Sequence, residues 1–186
     1  MNSNQNNNLG YWLFYAQRCV AYAFADVLRA ACVEQGKAYV VTPPQWGVMA
    51  VIHGIDGMTI GTISQKRGID APTVTGIVKR LEQNGLVERR NDREDRRVVK
   101  VSLTSEGENI MRVLDPLVDQ FNQDILRGLS DDERQLFLAN LQRIIANITD
   151  IFEGAGDRFR LLPGKLEFEE QELEFEEQEK EGHTCV

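Results

Sequence analysis

The chain has 186 residues and a formal net charge of −8, and its length suits one sizeable domain with an appendage. No apolar run reaches about 18 residues, so we expect no transmembrane helix, and the first ten residues lack the cationic and apolar segments of a signal peptide. Three scattered cysteines and two histidines argue against a disulfide framework and a metal centre. These features predict a cytoplasmic protein with no metal and no other cofactor.

A long helix is predicted from Leu9 to about Val33. Its apolar residues occupy more than one stripe, so we expect it to bury two faces, one against its own core and one against a second subunit. An aromatic cluster lies along this helix, comprising Tyr11, Trp12, Tyr15 and Tyr22. Residues 1–8 before this helix are expected to form a short disordered lead.

The segment Thr42-Pro43-Pro44-Gln45 predicts the start of a second helix. Threonine is a good N-terminal cap, proline fits the first helical position, and the glutamine can reach back as in a capping box. This helix is expected to end by Gly54.

Two short helices with a tight turn between them are predicted next. The first runs from Thr59 to Arg67 and ends at Gly68, where a left-handed residue is wanted. The second opens at Ala71-Pro72 and ends at Asn84-Gly85. Its apolar residues recur at intervals of three and four and form a single stripe, made of Val74, Ile77, Val78 and Leu81.

Two β segments follow, Leu86 to Arg90 and Arg97 to Leu103, joined by a charged loop. Arg89 to Lys100 contains six cations in twelve residues, and residues 66–100 together hold ten cations and six anions. A helix, a turn, a helix and a basic hairpin predict a winged helix-turn-helix over residues 42–104. Such a unit places its second helix in a DNA major groove and its hairpin along the minor groove.

The face of the second helix opposite its apolar stripe fits this role, because it carries short hydroxyls, a glycine and cations. Hydroxyls and small residues can approach base edges, whereas lysine and arginine suit phosphates. The candidate DNA contacts on this helix are Thr73, Thr75, Gly76, Lys79 and Arg80. For the helix alone, an ordinary solvated face is the simpler interpretation, and it is the adjoining basic hairpin that favours DNA. A protein-interaction module using the hairpin remains an alternative.

Two further helices are predicted after the hairpin. The first starts near Thr104 and contains Pro116, which should kink it or mark a change of partner. The second opens at a capping box, Ser130 to Glu133. The fold class is therefore mainly α with a small β-wing. We expect residues 9–35 and 105–153 to form the dimerisation helices of a homodimer; the alternative is a monomer whose terminal helices pack only on the winged unit.

The run EDRRVVKVSLTSEG resembles the wing signature of the MarR family of bacterial transcriptional regulators, an Asp-x-Arg followed by a strand and Leu-Thr-x-x-Gly. Asp95 and Arg97 fall on the signature pair, and TVTGIVKRLEQNGLVERR is similar to the family's recognition helix and first wing strand. The resemblance covers about residues 10–152. It implies that Asp95 buttresses the wing by pairing with Arg97. It also implies that wing arginines enter the minor groove, namely Arg89, Arg93, Arg96 and Arg97, with Arg93 or Arg96 at the tip.

The resemblance further implies an effector pocket between the dimer helices and the winged unit, often for aromatic acids. Aromatic walls with one cation suit a planar anion. The candidate lining residues are Tyr11, Trp12, Tyr15, Arg18, Trp46 and His53. The alternative is that these rings belong to the core or to the dimer interface.

Peroxide sensing through a cysteine is the other mode of regulation in the family. Aligning LFYAQR with the sensors' first helix places Tyr11 at the reactive cysteine, and Pro43 and Trp46 at the partner tyrosines. Ligand sensing is therefore preferred, and Cys19 is expected to be a free, buried, small hydrophobic residue. A redox regulator using Cys19 remains the alternative.

Residues 154–186 form a strongly acidic tail in which LEFEEQE occurs twice in succession. We expect this tail to be disordered and solvated. The alternative is that it competes with DNA for the basic wing, and deleting the residues after Gly156 would then change operator affinity and its dependence on salt.

The sequence as a whole predicts a DNA-binding transcriptional regulator rather than an enzyme, because no nucleophile–base pair or phosphate-binding glycine loop is present. The family resemblance implies a repressor that a small aromatic acid or thioester releases from a pseudo-palindromic operator, with activation as the alternative.

Overall fold

The computed structural model describes residues 8–92 and 95–152. Its elements follow in the order α1 (Leu9–Glu34), α2 (Pro43–Ile52), α3 (Ile60–Arg67), α4 (Ala71–Gln83), β1 (Val87–Asn91), β2 (Val99–Leu103), α5 (Ser105–Ile125) and α6 (Asp131–Phe152). This order confirms the predicted fold class, mainly α with a small β-wing. Three of the regions for which we made predictions lie outside the described residues, namely residues 1–7, Arg93 and the acidic tail.

The helices of the winged unit begin where polar side chains satisfy their first backbone N–H groups. Gln45 accepts from the Thr42 N–H at 2.9 Å, Thr59 accepts from the Thr62 N–H at 3.1 Å, and Asp70 accepts from the Thr73 N–H at 2.8 Å. α3 ends at Gly68, whose φ of 61° is left-handed, as the sequence predicted. These caps confirm the predicted helix boundaries.

The core of the winged unit lies between α2, α3 and α4, with the wing and the start of α5 closing it. The predicted stripe of α4 is fully or almost fully buried. The wider core contains Leu28, Val48, Met49, Ile52, Ile63, Val74, Val78, Leu81, Leu86, Val101, Ile110, Met111 and Leu114. Burying a large aliphatic side chain contributes roughly 1.5–3 kcal/mol, so this core fixes the orientation of α4.

The wing strands pair antiparallel, with Val87 opposite Leu103. The second strand begins at Val99, two residues later than predicted, because Asp95 folds the preceding residues into a turn. Its carboxylate accepts from the Arg97 N–H at 2.9 Å, and its carbonyl oxygen accepts from the Val98 N–H at 2.9 Å. Val101 also pairs with Met58, a contact that the sequence did not predict.

The Leu-Thr-x-x-Gly segment joins the wing to α5. The Thr104 hydroxyl donates to the Gly85 carbonyl oxygen at 2.6 Å and accepts from the Gly107 N–H at 3.0 Å. A β-carbon on Gly107 would overlap the Leu86 carbonyl oxygen. Glycine is therefore required here, because the first turn of α5 lies directly against the base of the wing.

Both terminal helices are largely exposed in the single chain. α1 buries only Leu28, Ala31 and Cys32, near its C-terminal end. No described side chain of α6 is buried. α5 is continuous through Pro116. The prediction that α1 buries two faces is thus not met within one chain.

The expectation that Cys19 is buried is wrong for the single chain. Cys19 is exposed, because it lies in the first half of α1, which contributes no buried residue, whereas Cys32 is buried and accepts from the Val41 N–H at 3.5 Å. Among the helices that the structure describes, none is long and apolar enough to cross a membrane.

Candidate nucleic-acid interface

The outer face of α4 is free of contacts with the core. Thr73, Thr75, Lys79 and Arg80 are exposed and Gly76 is partly exposed, while the opposite stripe is buried. All five residues predicted to contact DNA from this helix therefore lie on its accessible side. Lys79 and Arg80 stand one turn beyond the hydroxyls, so the cations are separated from the N-terminal end of the helix.

Asp70 organises the first turn of α4. Its carboxylate accepts from the Thr73 N–H at 2.8 Å and from the Thr73 hydroxyl at 2.7 Å. These hydrogen bonds hold the pKa of Asp70 below its usual range. The Thr75 hydroxyl donates to the Ala71 carbonyl oxygen at 2.8 Å. Both hydroxyls on this surface are thus oriented by the protein itself.

Gly76 has no internal packing reason to be a glycine. A β-carbon at this position would meet no described heavy atom within 4 Å. Glycine inside a helix is less favourable than alanine by about 1 kcal/mol. The open space over Gly76 gives another molecule close access to the backbone of α4.

The wing is fastened to α4 by an ion pair. Arg89 Nε lies 3.1 Å from Glu82 Oε2, which joins the last turn of α4 to the first wing strand. Further along the strands, Lys100 pairs with Asp92 at 2.5 Å, and Arg90 pairs with Glu88. The ion pair between Arg89 and Glu82 therefore holds the last turn of α4 against the first wing strand.

Arg96 and Arg97 occupy the exposed turn of the wing, and neither forms an ion pair with another residue that the structure describes. The Arg96 carbonyl oxygen accepts from the Asn91 side chain at 3.1 Å. Asp95 contacts the backbone N–H of Arg97, so the pairing of these residues that the resemblance implied takes place through the backbone. Two guanidinium groups are left facing solvent at the wing turn.

The six candidate effector residues do not form one cluster in the single chain. Tyr11, Trp12 and Tyr15 contact one another near the start of α1, where Tyr11 and Tyr15 stack with ring centroids 6.2 Å apart. Arg18 instead lies over the rings of Phe14 and Tyr22. These contacts give the exposed half of α1 an aromatic surface with one cation.

Trp46 lies farther along, against the core. Its ring meets Phe24 edge-on with centroids 5.2 Å apart, and Phe24 stacks on Phe121. The indole Nε1 is buried, and no hydrogen-bond acceptor among the described residues reaches it. Because Phe24 is nine residues beyond Tyr15, roughly 13 Å of helix separates Trp46 from the first aromatic group.

His53, at the end of α2, lies between two carboxylates of α5. Its Nε2 is 3.1 Å from Glu108 Oε2, and its Nδ1 is 3.1 Å from Asp115 Oδ2. In the single chain this residue connects the winged unit to α5 and is separate from the aromatic surface of α1.

Sequence reasoning missed two residues that position the interface, Asp70 and Glu82. Asp70 precedes Ala71-Pro72, and an aspartate just before a helical proline is a recognisable capping signal. Glu82 carries no such signal, because its partner Arg89 is brought to it by the turn between α4 and β1.

Comparison with known proteins bears on the identity of this fold. A profile of the MarR family matches residues 41–99. YsmB of Bacillus subtilis, an uncharacterized HTH-type transcriptional regulator, is 33% identical over 106 residues, which are 57% of this chain and 73% of YsmB.

The chain belongs to the MarR family of transcriptional regulators.

Solved MarR-like structures agree with this assignment. The transcriptional repressor CouR, solved with a 23-mer DNA duplex, is 26% identical with a TM-score of 0.65, covering 77% of this chain and 96% of that one. CouR from Rhodococcus jostii RHA1, solved with p-coumaroyl-CoA, shares the fold at 22% identity and a TM-score of 0.62, covering 77% and 95% of the two chains. The winged helix-turn-helix described above is therefore the DNA-binding fold of this family.

Proposed function

We propose that this MarR-family regulator binds a pseudo-palindromic DNA operator as a homodimer, with α4 in the major groove and the wing along the adjacent minor groove. The observation that carries this proposal is the joint surface of α4 and the wing. The hydroxyl and cation face of α4 is exposed, the wing turn presents Arg96 and Arg97, and the Glu82–Arg89 pair holds the two parts together. The DNA complex of CouR supports the same use of the fold.

Phosphate contacts are assigned to the cations of this surface. Lys79 and Arg80 lie beyond the first turn of α4, where the DNA backbone flanks the groove. Arg89, Arg96 and Arg97 supply the wing contacts, and Arg93 is included on the family resemblance. Asp95 serves as the buttress by holding the turn that presents Arg96 and Arg97.

A second copy of this chain is proposed to cover the terminal helices. α6 exposes large apolar side chains along its length, among them Leu136, Phe137, Leu138 and Ile148, and the first half of α1 exposes aromatic rings. A two-fold dimer would bury these surfaces and would present two α4 helices to successive half-sites of DNA.

A small aromatic acid or its thioester is proposed as the effector that releases the repressor from DNA. The indole N–H of Trp46 is buried and meets no acceptor among the described residues, so it offers a donor to an acceptor atom of such a ligand, and Phe24 and Phe121 provide apolar contact beside it. CouR has been solved with a thioester of this kind. Operator release measured while aromatic acids and their thioesters are added one at a time would identify the ligand.

The DNA contacts are tested by charge removal. Arg96→Ala and Lys79→Ala should each weaken duplex binding and reduce the slope of log affinity against log salt by about 0.9, since each change removes one phosphate contact. Fluorescence anisotropy with a duplex selected by the wild-type protein measures both quantities.

Arg127→Ala is the matched control. It removes the same charge from an exposed residue just beyond the C-terminal end of α5, and α5 is 21 residues, or about 30 Å, long from the wing to that end. This variant should bind as the wild type does. Equal affinities and slopes for all four proteins would refute the proposed interface and favour the protein-interaction alternative.

A further inference from the structure

The two threonine hydroxyls on the outer face of α4 each donate a hydrogen bond to an acceptor within the protein. Thr73 Oγ1 donates to Asp70 Oδ2 at 2.7 Å, and Thr75 Oγ1 donates to the Ala71 carbonyl oxygen at 2.8 Å. A carboxylate and a carbonyl oxygen can only accept, so the direction of both bonds is fixed. What each hydroxyl still offers to another molecule is the lone-pair side of its oxygen.

This restricts what the hydroxyls can bind on DNA. Phosphate oxygens are acceptors and require a donor, which neither threonine retains while its internal bond persists. Asp70 also places a negative charge beside Thr73, which disfavours a phosphate at this end of α4. The hydroxyls are therefore suited to base edges rather than to the DNA backbone.

The major-groove edges of the bases differ in this respect. Adenine N6 and cytosine N4 present amino donors, whereas guanine O6 and thymine O4 present acceptors. An oxygen that can only accept matches the amino bases, and it meets lone pairs if a keto base stands in the same place.

We propose that Thr73 and Thr75 are specificity-determining residues that select adenine or cytosine over guanine or thymine on one strand of each half-site. The proposal rests on the proposed function, since it requires α4 to lie in the major groove.

The Asp70 carboxylate determines that the Thr73 hydroxyl donates within the protein and can only accept from DNA. It is held by both the hydroxyl and the N–H of Thr73, and those bonds lower its pKa further below neutrality, so it accepts as a carboxylate. An asparagine at residue 70 would remain a good helix cap, but its amide N–H₂ could donate to Thr73 Oγ1. The threonine would then be free to donate to a keto base.

Selection of bound duplexes from a random double-stranded pool tests the proposal with the full-length protein. The wild type should enrich amino bases at two positions of the half-site. Thr73→Val and Thr75→Val, which keep the shape of the side chain and remove its oxygen, should each abolish that preference at one position. We expect the preference for amino over keto bases at that position to fall about fivefold, which is the lower end of the range for a specific base contact. The slope of log affinity against log salt should not change.

Asp70→Asn provides the second measurement. At the position that Thr73→Val affects, it should shift the preference toward guanine or thymine, while the position that Thr75→Val affects keeps its amino base. Circular dichroism melting curves verify that the variants are folded.

Separate outcomes overturn the two proposals. Enriched sequences that the threonine variants leave unchanged, or affected positions that prefer a keto base in the wild type, would overturn the selectivity while DNA binding stands. No enrichment by the folded wild-type protein would overturn both.

Discussion

Gly76 and Gly107 show how the same residue type serves opposite purposes in one small unit. At Gly107 a side chain would overlap the Leu86 carbonyl oxygen, so the protein's own packing requires glycine. At Gly76 the surrounding space is open, and the backbone is helical, so alanine would suit the isolated chain better. No described residue requires glycine at Gly76, and under the proposed function this open space would face DNA.

Gly76→Ala should therefore stabilise the folded protein and weaken its binding to DNA. We expect the free energy of unfolding to rise by up to about 1 kcal/mol, because alanine is the better helix former. A methyl group facing the major groove should at the same time lower operator affinity. Urea unfolding and duplex titration measure the two effects on the same sample.

Gly107→Ala is the contrasting variant. Forcing a methyl group against the Leu86 carbonyl oxygen should lower the free energy of unfolding by about 1–3 kcal/mol. A destabilised Gly76→Ala protein, or one that binds DNA as well as the wild type, would contradict the interpretation of the open space.

At the scale of helices and strands, the features that could be predicted from the sequence are those that depend on neighbouring residues. Helix starts and ends depend on side chains within a few residues, so they can be read from the sequence. This applies to the starts at Thr42, Thr59 and Asp70 and to the end at Gly68. The second wing strand was placed two residues early, because the alternation of valines continues into a turn that Asp95 closes through two backbone hydrogen bonds.

Contacts between distant segments could not be predicted in the same way. Trp46 and His53 were assigned together to an effector pocket, yet one packs on Phe24 and the other lies between Glu108 and Asp115. No spacing in the sequence distinguishes these surroundings, since they depend on how α1, α2 and α5 pack. The exposed face of α4, in contrast, followed from helical periodicity, and both its DNA contacts and the effector site are proposals.

Glu106 links two elements and should make stability depend on pH. It accepts from Lys37 Nζ and from the Tyr39 hydroxyl, each at 2.7 Å, so the loop after α1 is tied to the first turn of α5. The hydrogen bond from Lys37, followed by that from Tyr39, lowers the pKa of Glu106. Because the folded pKa lies below the unfolded one, the contribution is present above the unfolded pKa and is lost as pH falls through the folded pKa.

The midpoint temperature of thermal unfolding of the wild type should accordingly fall when the pH is lowered below the usual pKa range of glutamate. Glu106→Gln should unfold at a lower midpoint temperature than the wild type at neutral pH. Its midpoint should then decrease less than that of the wild type on acidification. Parallel acid-dependent losses in the two proteins would show that Glu106 is not the group responsible.

At the scale of the whole molecule, the single chain leaves much of its two longest helices, α1 and α6, exposed. Ile148 is 38% exposed and Phe137 is 52% exposed on α6, and Trp12 is 49% exposed on α1. Exposed apolar surface on this scale marks an interaction site. The winged unit, in contrast, has a closed core, so DNA recognition and association are assigned to different parts of the chain.

Ile148→Asp should convert the proposed dimer into a monomer, because it would bury an unpaired carboxylate in the interface. Light scattering coupled to size exclusion measures the mass, and operator affinity should fall with it, since a monomer contacts one half-site. Asn140→Asp adds the same charge to an exposed polar position of α6 and should remain dimeric. A wild-type protein that is monomeric throughout the micromolar range would rule out this assembly.

The single imidazole of His53 lies between Glu108 and Asp115 and so links the end of α2 to two separate turns of α5. Those carboxylates are seven residues, or about 10.5 Å, apart along the helix axis, and each is 3.1 Å from a different ring nitrogen. A shift of α5 along its axis relative to α2 would require these side chains to change conformation if both contacts are to be kept. In the proposed dimer, this imidazole would therefore connect the DNA-binding unit of each protomer to α5, one of the helices expected to join the two copies.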